Sequence, residues 1–455
     1  MSHWVISVVL ACVPPASALV IAAPRLAVSL GGLGTVPTIA SSVAPPALSQ
    51  TSLSTPLMLP TPAIASLLVA PDANQAAGHL KSPDAPVTGA RTMFDGDRSG
   101  APSPGWMLEA FEGDGGAPIH YKWRAGTSGA TARVYMGGLA LCESFETFFA
   151  RADKPAGNEL FLWPRGHPPS EWAATKTPFD ADALDLSRAV LIAAQTSPGG
   201  KVELALHSYG VLVFQRMIQL HAKPAVAAAL KALSGSTVFL LNATTHYEGS
   251  DKRLGPDAAR VAQATKMVVD WLNIGDLTAA LWQSAARMNP FLAPATAAVV
   301  EQWRVLRTQF LALASKDFGA MMRADLQVPW DKDVDSIRKG FLRDLQRDAQ
   351  SPGWQEALLR RANDTFQLEF STDDVARIKE LGIRLEIVHA HGDKLLSWEN
   401  AKILFERLGI EAPQMAPPSG TVLTDKTGRL RARIVEGDHY FPLKHRDELA
   451  RILKP

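Results

Sequence analysis

The run Val202-Glu203-Leu204-Ala205-Leu206-His207-Ser208-Tyr209-Gly210-Val211-Leu212 decides how the rest of the chain reads. It opens with strand alternation, breaks at a small polar cluster, and resumes with Val211, Leu212, Phe214, Met217 and Ile218 at helical spacing. A serine at such a break sits on a sharp turn with its hydroxyl lifted off the sheet edge. The helix N-terminus beside it offers free N–H groups that can hold developing negative charge. An ordinary N-cap serine gives the same local pattern, so the choice falls to the flanking sequence.

Upstream, 107–111 and 119–123 read as strands joined by a turn at Gly113-Asp114-Gly115-Gly116. A strand at 132–136, a helix at 144–150, a strand at 159–163 and an amphipathic helix at 181–195 follow. The last has Leu184, Leu186, Val190, Leu191 and Ala194 as its apolar side. Downstream, 237–241 is a sixth strand. The pattern then turns helical from about 247 to 379, with segments at 262–272, 277–288, 295–314, 334–347 and 356–362. Its tryptophans, Trp271, Trp282, Trp303, Trp330 and Trp354, fit either the filler of an apolar interior or an apolar face over a cleft. Strands at 385–389 and 431–435, with helices at 397–408 and 446–453, restore the alternation, and 412–428 is a loop or small hairpin. The pattern is α/β: a mostly parallel, doubly wound sheet with an inserted helical block above the strand ends, where open sheets keep their sites. The expected units are a first core part at 105–246, a helical cap at 247–379 and a second core part at 380–455.

The 455 residues, 47% hydrophobic and 20% charged, suit a large globular core. A formal net charge of +1 gives no reason to expect nucleic acid or an anionic membrane as partner. The two cysteines, Cys12 and Cys142, would leave one after removal of a leader, and there is no cluster with metal-ligand spacing. Residues 4–19 resemble the apolar region of a secretory signal (segment 1–22), with Ala16-Ser17-Ala18 as cleavage site. Met1-Ser2-His3 brings no cation to it, and Val9-Leu10-Ala11-Cys12 loosely resembles a lipoprotein box. The expectation is export to the periplasm, envelope or medium, or a cytoplasmic protein if the leader is no signal. The stretch is too short and interrupted for a stable membrane span. Residues 23–104, rich in Ala, Pro, Ser and Thr, read as a poorly ordered linker.

Two later stretches bear on Ser208. Val388-His389-Ala390-His391-Gly392-Asp393 puts an acid just past a strand end, and Gly437-Asp438-His439-Tyr440-Phe441 puts a histidine just past the next. Parallel strands end on one edge, so an imidazole can take the hydroxyl proton while a carboxylate fixes its tautomer. From about 106 to 453 the chain resembles the serine hydrolases of the α/β-hydrolase superfamily, of the lysophospholipase, monoglyceride-lipase-like and esterase kind, in the order Ser208, Asp393, His439. The resemblance implies Ser208 as nucleophile, Asp393 as orienting acid and His439 as base. It implies an oxyanion hole of the Tyr209 N–H with that of Gly138, or of Leu139 if the loop is shifted. Two positions depart from the family. Leu206 stands where the elbow has a small residue, and Met136 precedes Gly137 where the oxyanion loop opens on His-Gly.

Other candidates read as structural. His207 adjoins the serine but points away on a tight turn, and His389 and His391 suit surface or supporting roles. Asp438 is too near His439 in sequence to reach its ring, Cys142 reads as a small apolar residue, and Arg338, Lys339, Arg343 and Arg347 as a solvated helix face. The resemblance implies hydrolysis of a small-molecule carboxylic ester with an apolar or lipid-like acyl group, through an acyl-serine, with no metal or organic cofactor. Epoxide hydrolysis and dehalogenation need a carboxylate at position 208. The alternatives are an impaired hydrolase-fold binding protein, and an acyltransferase or amidase using the same triad. The sequence leaves the oligomeric state open.

Overall fold

The computed structural model describes residues 106–126, 131–138, 157–167, 169–170, 172, 177–197, 199–243, 245, 256–326, 352–365, 368, 370–393 and 396–454. The leader and linker, Leu139, Cys142, the helices expected at 144–150 and 334–347, and Arg338 to Arg347 lie outside them.

Nine strands form one sheet: β1 (Met107–Glu112), β2 (Pro118–Arg124), β3 (Thr131–Met136), β4 (Asn158–Leu162), β5 (Lys201–His207), β6 (Thr237–Leu241), β7 (Arg384–Ala390), β8 (Val422–Thr424) and β9 (Leu430–Val435). Their spatial order is β1-β2-β4-β3-β5-β6-β7-β9-β8. From β4 to β9 every pairing is parallel, while β1, β2 and β8 join antiparallel at the two sides. This crossing of β3 and β4, with the parallel run continuing through β5, β6 and β7, is the strand order of the α/β-hydrolase fold. β8 makes the 412–428 stretch a hairpin arm, so the strand that leads into His439 is the ninth.

The helices are α1 (Pro178–Thr196), α2 (Tyr209–Gln219), α3 (Pro224–Ala232), α4 (Pro256–Met288), α5 (Ala293–Leu326), α6 (Pro352–Thr365), α7 (Thr372–Glu380), α8 (Trp398–Leu408), α9 (Phe441–Lys444) and α10 (Arg446–Ile452). Pro224, at the first turn of α3, starts a second helix between α2 and β6 that the sequence pattern above does not separate. The segments expected at 262–272 and 277–288 are one helix, α4.

Alternation along the strands sends two apolar sets to the two sheet faces. One face buries Val134, Leu160, Leu204, Leu206, Leu240 and Ile387 against α1, α2, α3, α7 and α8. The other buries Tyr135, Phe161, Ala205, Phe239 and Val388 against Trp354, Phe441, Leu449 and Leu453. The apolar side of α1 is rotated from the expected one. Asp182 and Asp185 are buried, while Leu184, Leu191 and Ala194 are only partly so. Two arginines remote in sequence neutralise those acids: Arg165 for Asp185 and Arg361 for Asp182. Leu206, which stands where the family's elbow has a small residue, lies fully buried in β5 between Met136 and Leu240, so its isobutyl group has a place in the core.

Candidate active site

Among the described residues only two that are not glycine have positive φ, Ser208 (53°) and Asn242 (47°). Each follows the last residue of a neighbouring strand, β5 and β6. Ser208, at ψ −112°, turns the chain from β5 into α2. A residue in that region is strained and keeps its place only where its surroundings over-determine it. Here the Ser208 N–H donates to Leu241 O (3.0 Å) and the Gly210 N–H to Gly137 O (3.1 Å). A Cβ on Gly210 would lie 2.8 Å from Met136 O, so β3 and α2 approach this closely only because position 210 is glycine.

The other two expected residues arrive from loops after β7 and β9. His439 Nε2 lies 3.1 Å from Ser208 Oγ, and its Nδ1 lies 2.9 Å from Asp393 Oδ2. The second carboxylate oxygen, Oδ1, accepts the Leu396 N–H at 2.8 Å. Burial pulls the Asp393 pKa upward, but the facing His439 and the hydrogen bonds from His439 and Leu396 outweigh it and leave it below the usual carboxylate range. Asp393 and His439 are both buried, whereas Ser208 is half-buried.

Asn242 passed unread in the sequence. Its Nδ2 donates to His439 O (2.7 Å) and Asp438 O (3.2 Å), and its Oδ1 accepts the Ala390 N–H (3.0 Å). One amide therefore ties the loop after β9 to the end of β7. His207 Nε2–H donates to the same His439 carbonyl at 3.0 Å. Burial, then the neighbouring His439, lowers the His207 pKa to about 3, so this ring stays neutral. The only signal for Asn242 was its place immediately after a strand that leads toward the site.

The remaining candidates are elsewhere engaged. Asp438 caps its own turn through Tyr440 N (2.9 Å) and pairs with Lys444. His391 is exposed and bonds Pro417 O at 3.0 Å. His389 is buried beside Trp398 and Phe405.

Gly138 lies against the nucleophile: a Cβ there would stand 2.9 Å from Ser208 Cβ and 3.2 Å from its Oγ. Tyr209 opens α2, so its N–H has no acceptor four residues back. Two backbone segments, 137–138 and 208–209, thus flank the hydroxyl. Among the described residues no group of three His, Cys, Asp or Glu side chains could hold a metal ion, and no helix is long and apolar enough to cross a membrane. A cavity of about 600 Å³, lined by Thr237, Arg384, Arg429 and Arg451 among others, opens at the strand starts, away from these loops.

No protein-family model and no curated protein matches the sequence. Solved structures of similar architecture include a thioesterase domain from the curacin biosynthetic pathway, at 10% identity over 77% of this chain and 99% of that one, with a TM-score of 0.42. A thermophilic esterase from Thermogutta terrifontis shares 11% identity over 75% of this chain and 94% of its own (TM-score 0.43). An esterase from a Rhodococcus species shares 16% over 76% and 96% (TM-score 0.43). The chain has the α/β-hydrolase fold, as its strand order defines.

Proposed function

We propose that the protein is a serine hydrolase that cleaves a carboxylic ester through an acyl-serine. The observation that carries this reading is the unbroken chain Ser208 Oγ–His439 Nε2 (3.1 Å) and His439 Nδ1–Asp393 Oδ2 (2.9 Å). In the first step Oγ attacks the ester carbonyl while its proton passes to Nε2, and Asp393 balances the imidazolium that forms. The tetrahedral oxyanion is held by the N–H groups of Tyr209 and Gly138. Nε2 then gives the proton to the departing alkoxide as the C–O bond breaks. Water deacylates the serine by the same sequence, with His439 again as base, and returns the hydroxyl. Residues 247–379 are read as the cap over this site, and an apolar or lipid-like acyl group is the substrate class that a helical cap suits. The departure at Leu206 does not favour an impaired enzyme, because the side chain is accommodated in the core.

A fluorophosphonate probe should label the wild type stoichiometrically and leave Ser208→Ala unlabelled. A series of p-nitrophenyl esters of increasing chain length, with an anilide control, should show turnover rising with apolar chain length and little amide cleavage. Equal labelling of both proteins, or no ester turnover by unmodified wild type whose Ser208 the probe can label, would overturn the proposal.

A further inference from the structure

Behind the elbow lies an ion pair that the reaction does not use directly. Arg361, on α6 of the helical insertion, donates from Nε to Asp182 Oδ2 (2.7 Å) and from Nη2 to Asp182 Oδ1 (2.8 Å). Both side chains are 1% exposed. Nη2 also donates to Arg165 O at 2.7 Å, and the Tyr209 hydroxyl donates to Asp182 Oδ2 at 2.8 Å. The Tyr209 ring packs on Phe179, with centroids 5.5 Å apart, and the Arg361 guanidinium lies 5.6 Å from the Tyr209 ring centroid. Burial, then the Asp182 charge, pushes the phenol pKa well above its ordinary value, so Tyr209 remains a donor to the carboxylate.

Such a pair is poorly explained as a stabilising contact. Desolvating two charges is costly, and an apolar pair of equal volume often stabilises as well or better. What the pair does fix is orientation. Tyr209 follows the strained Ser208 in sequence, and its N–H is the proposed oxyanion donor on that turn. Its side chain is held at the far end by a carboxylate that a two-pronged guanidinium locks in plane. Without Arg361 the Asp182 carboxylate would be a buried charge lacking its partner. It would take up a proton or turn toward water, and the phenol would lose its fixed acceptor.

We infer that Arg361 is a positioning residue for the oxyanion site, acting through Asp182 and the Tyr209 phenol. The inserted helix α6 is then a support of the elbow as well as part of a cover over it. This rests on the serine-hydrolase reading above, and the experiment separates the two. Active sites are first titrated with the fluorophosphonate, and kcat is expressed per titrated site. Arg361→Lys keeps the charge but loses the fork, and should lower kcat per site on the order of 10–100-fold with KM within about threefold. Tyr209→Phe removes only the hydroxyl, keeps the core volume, and should lower kcat per site roughly 3–10-fold. The double variant should be no slower than Arg361→Lys, because both act on one contact chain. Affinity for a trifluoromethyl ketone, which forms an oxyanion on the serine, should fall in step with kcat/KM, whereas a purely structural role would lower only Tm and the titratable fraction. If wild type and Ser208→Ala label alike, the hydrolase reading fails and takes this inference with it. If the wild type labels and turns over normally, the inference alone is overturned by variants with wild-type kcat per site or by additive losses in the double variant.

Discussion

The sheet edge that gathers Ser208, His439 and Asp393 and the hairpin of α4 and α5 are built by opposite means. At the sheet edge, parallel strands with two buried faces carry the weight, and the polar groups of the relay are held by several bonds each. The His439 carbonyl alone receives donors from both Asn242 and His207. In the hairpin the described apolar contact is small: Val268, Leu272, Leu311 and Leu359, flanked by Trp271, Trp303 and Phe310. Charge supplies the rest. Glu356 on α6 accepts from Arg360 (2.8 Å), Arg307 and the Trp172 indole, and Asp276 accepts the Trp303 indole N–H at 2.9 Å. The hairpin also leaves Met267, Ile274, Leu277, Leu281, Met288, Phe291 and Val305 exposed. The lesson is that apolar periodicity suffices to place a sheet, whereas a long inserted hairpin is pinned to its neighbour α6 by a few charges, Glu356 the most buried of them. The variants that follow should damage one region without the other.

The largest separation should come from Asp393→Asn, expected to lower kcat about 10⁴-fold by upsetting the His439 tautomer. Its urea midpoint should stay near that of the wild type, since the side chain's neighbours are polar donors; loss of fold would contradict the division. Leu206→Ala should do the reverse. A buried cavity in β5 costs about 2–5 kcal/mol, read in chemical denaturation, with no gain in kcat. A large gain would revive the idea that leucine spoils the elbow.

Glu356→Leu leaves Arg307, Arg360 and an indole N–H short of an acceptor. It should cost on the order of 3 kcal/mol and expose α4 and α5 to limited proteolysis before the sheet. Simultaneous loss of both regions would show that they unfold as one.

A smaller effect concerns His389, the polar group of the sheet region with neither ring nitrogen bonded among the described residues. Burial lowers its pKa to about 4 from an ordinary 6.5. Below 6.5 the unfolded chain takes up a proton that the folded one refuses, so acid costs stability down to the folded pKa. Against His389→Leu, the wild type should lose up to about 1.4 kcal/mol per pH unit between roughly pH 6 and 4. A pH-independent difference would refute the neutral, unbonded ring. The smallest change belongs to the hairpin surface: Ile274→Gln and Leu281→Gln should shift stability by no more than about 0.5 kcal/mol in the same assay.

Much of this was legible in order along the chain, for a local reason. Short apolar runs opening at Val202 and at 237–241, 385–389 and 431–435 announce strands, and each is punctuated where it ends. The relay could be listed because parallel strands share an exit edge. The helix divisions were harder. Asn273-Ile274-Gly275-Asp276 reads as a break between 262–272 and 277–288, yet α4 runs through it. Trp303 is the reason: its indole lies so close that a Cβ on Gly275 would stand 2.1 Å from it, so the glycine serves contact rather than a turn.

By itself the sequence determined the succession of strands and helices and which hydroxyl, imidazole and carboxylate stand at strand ends. Both follow from patterns a few residues long. Only the tertiary structure decided that Asn242 holds the His439 loop and that Arg361 faces Asp182, 179 residues away. A lone buried charge carries no local periodicity. Its partner is chosen by where the folded chain brings a neutralising group, and no pattern along the backbone encodes that meeting.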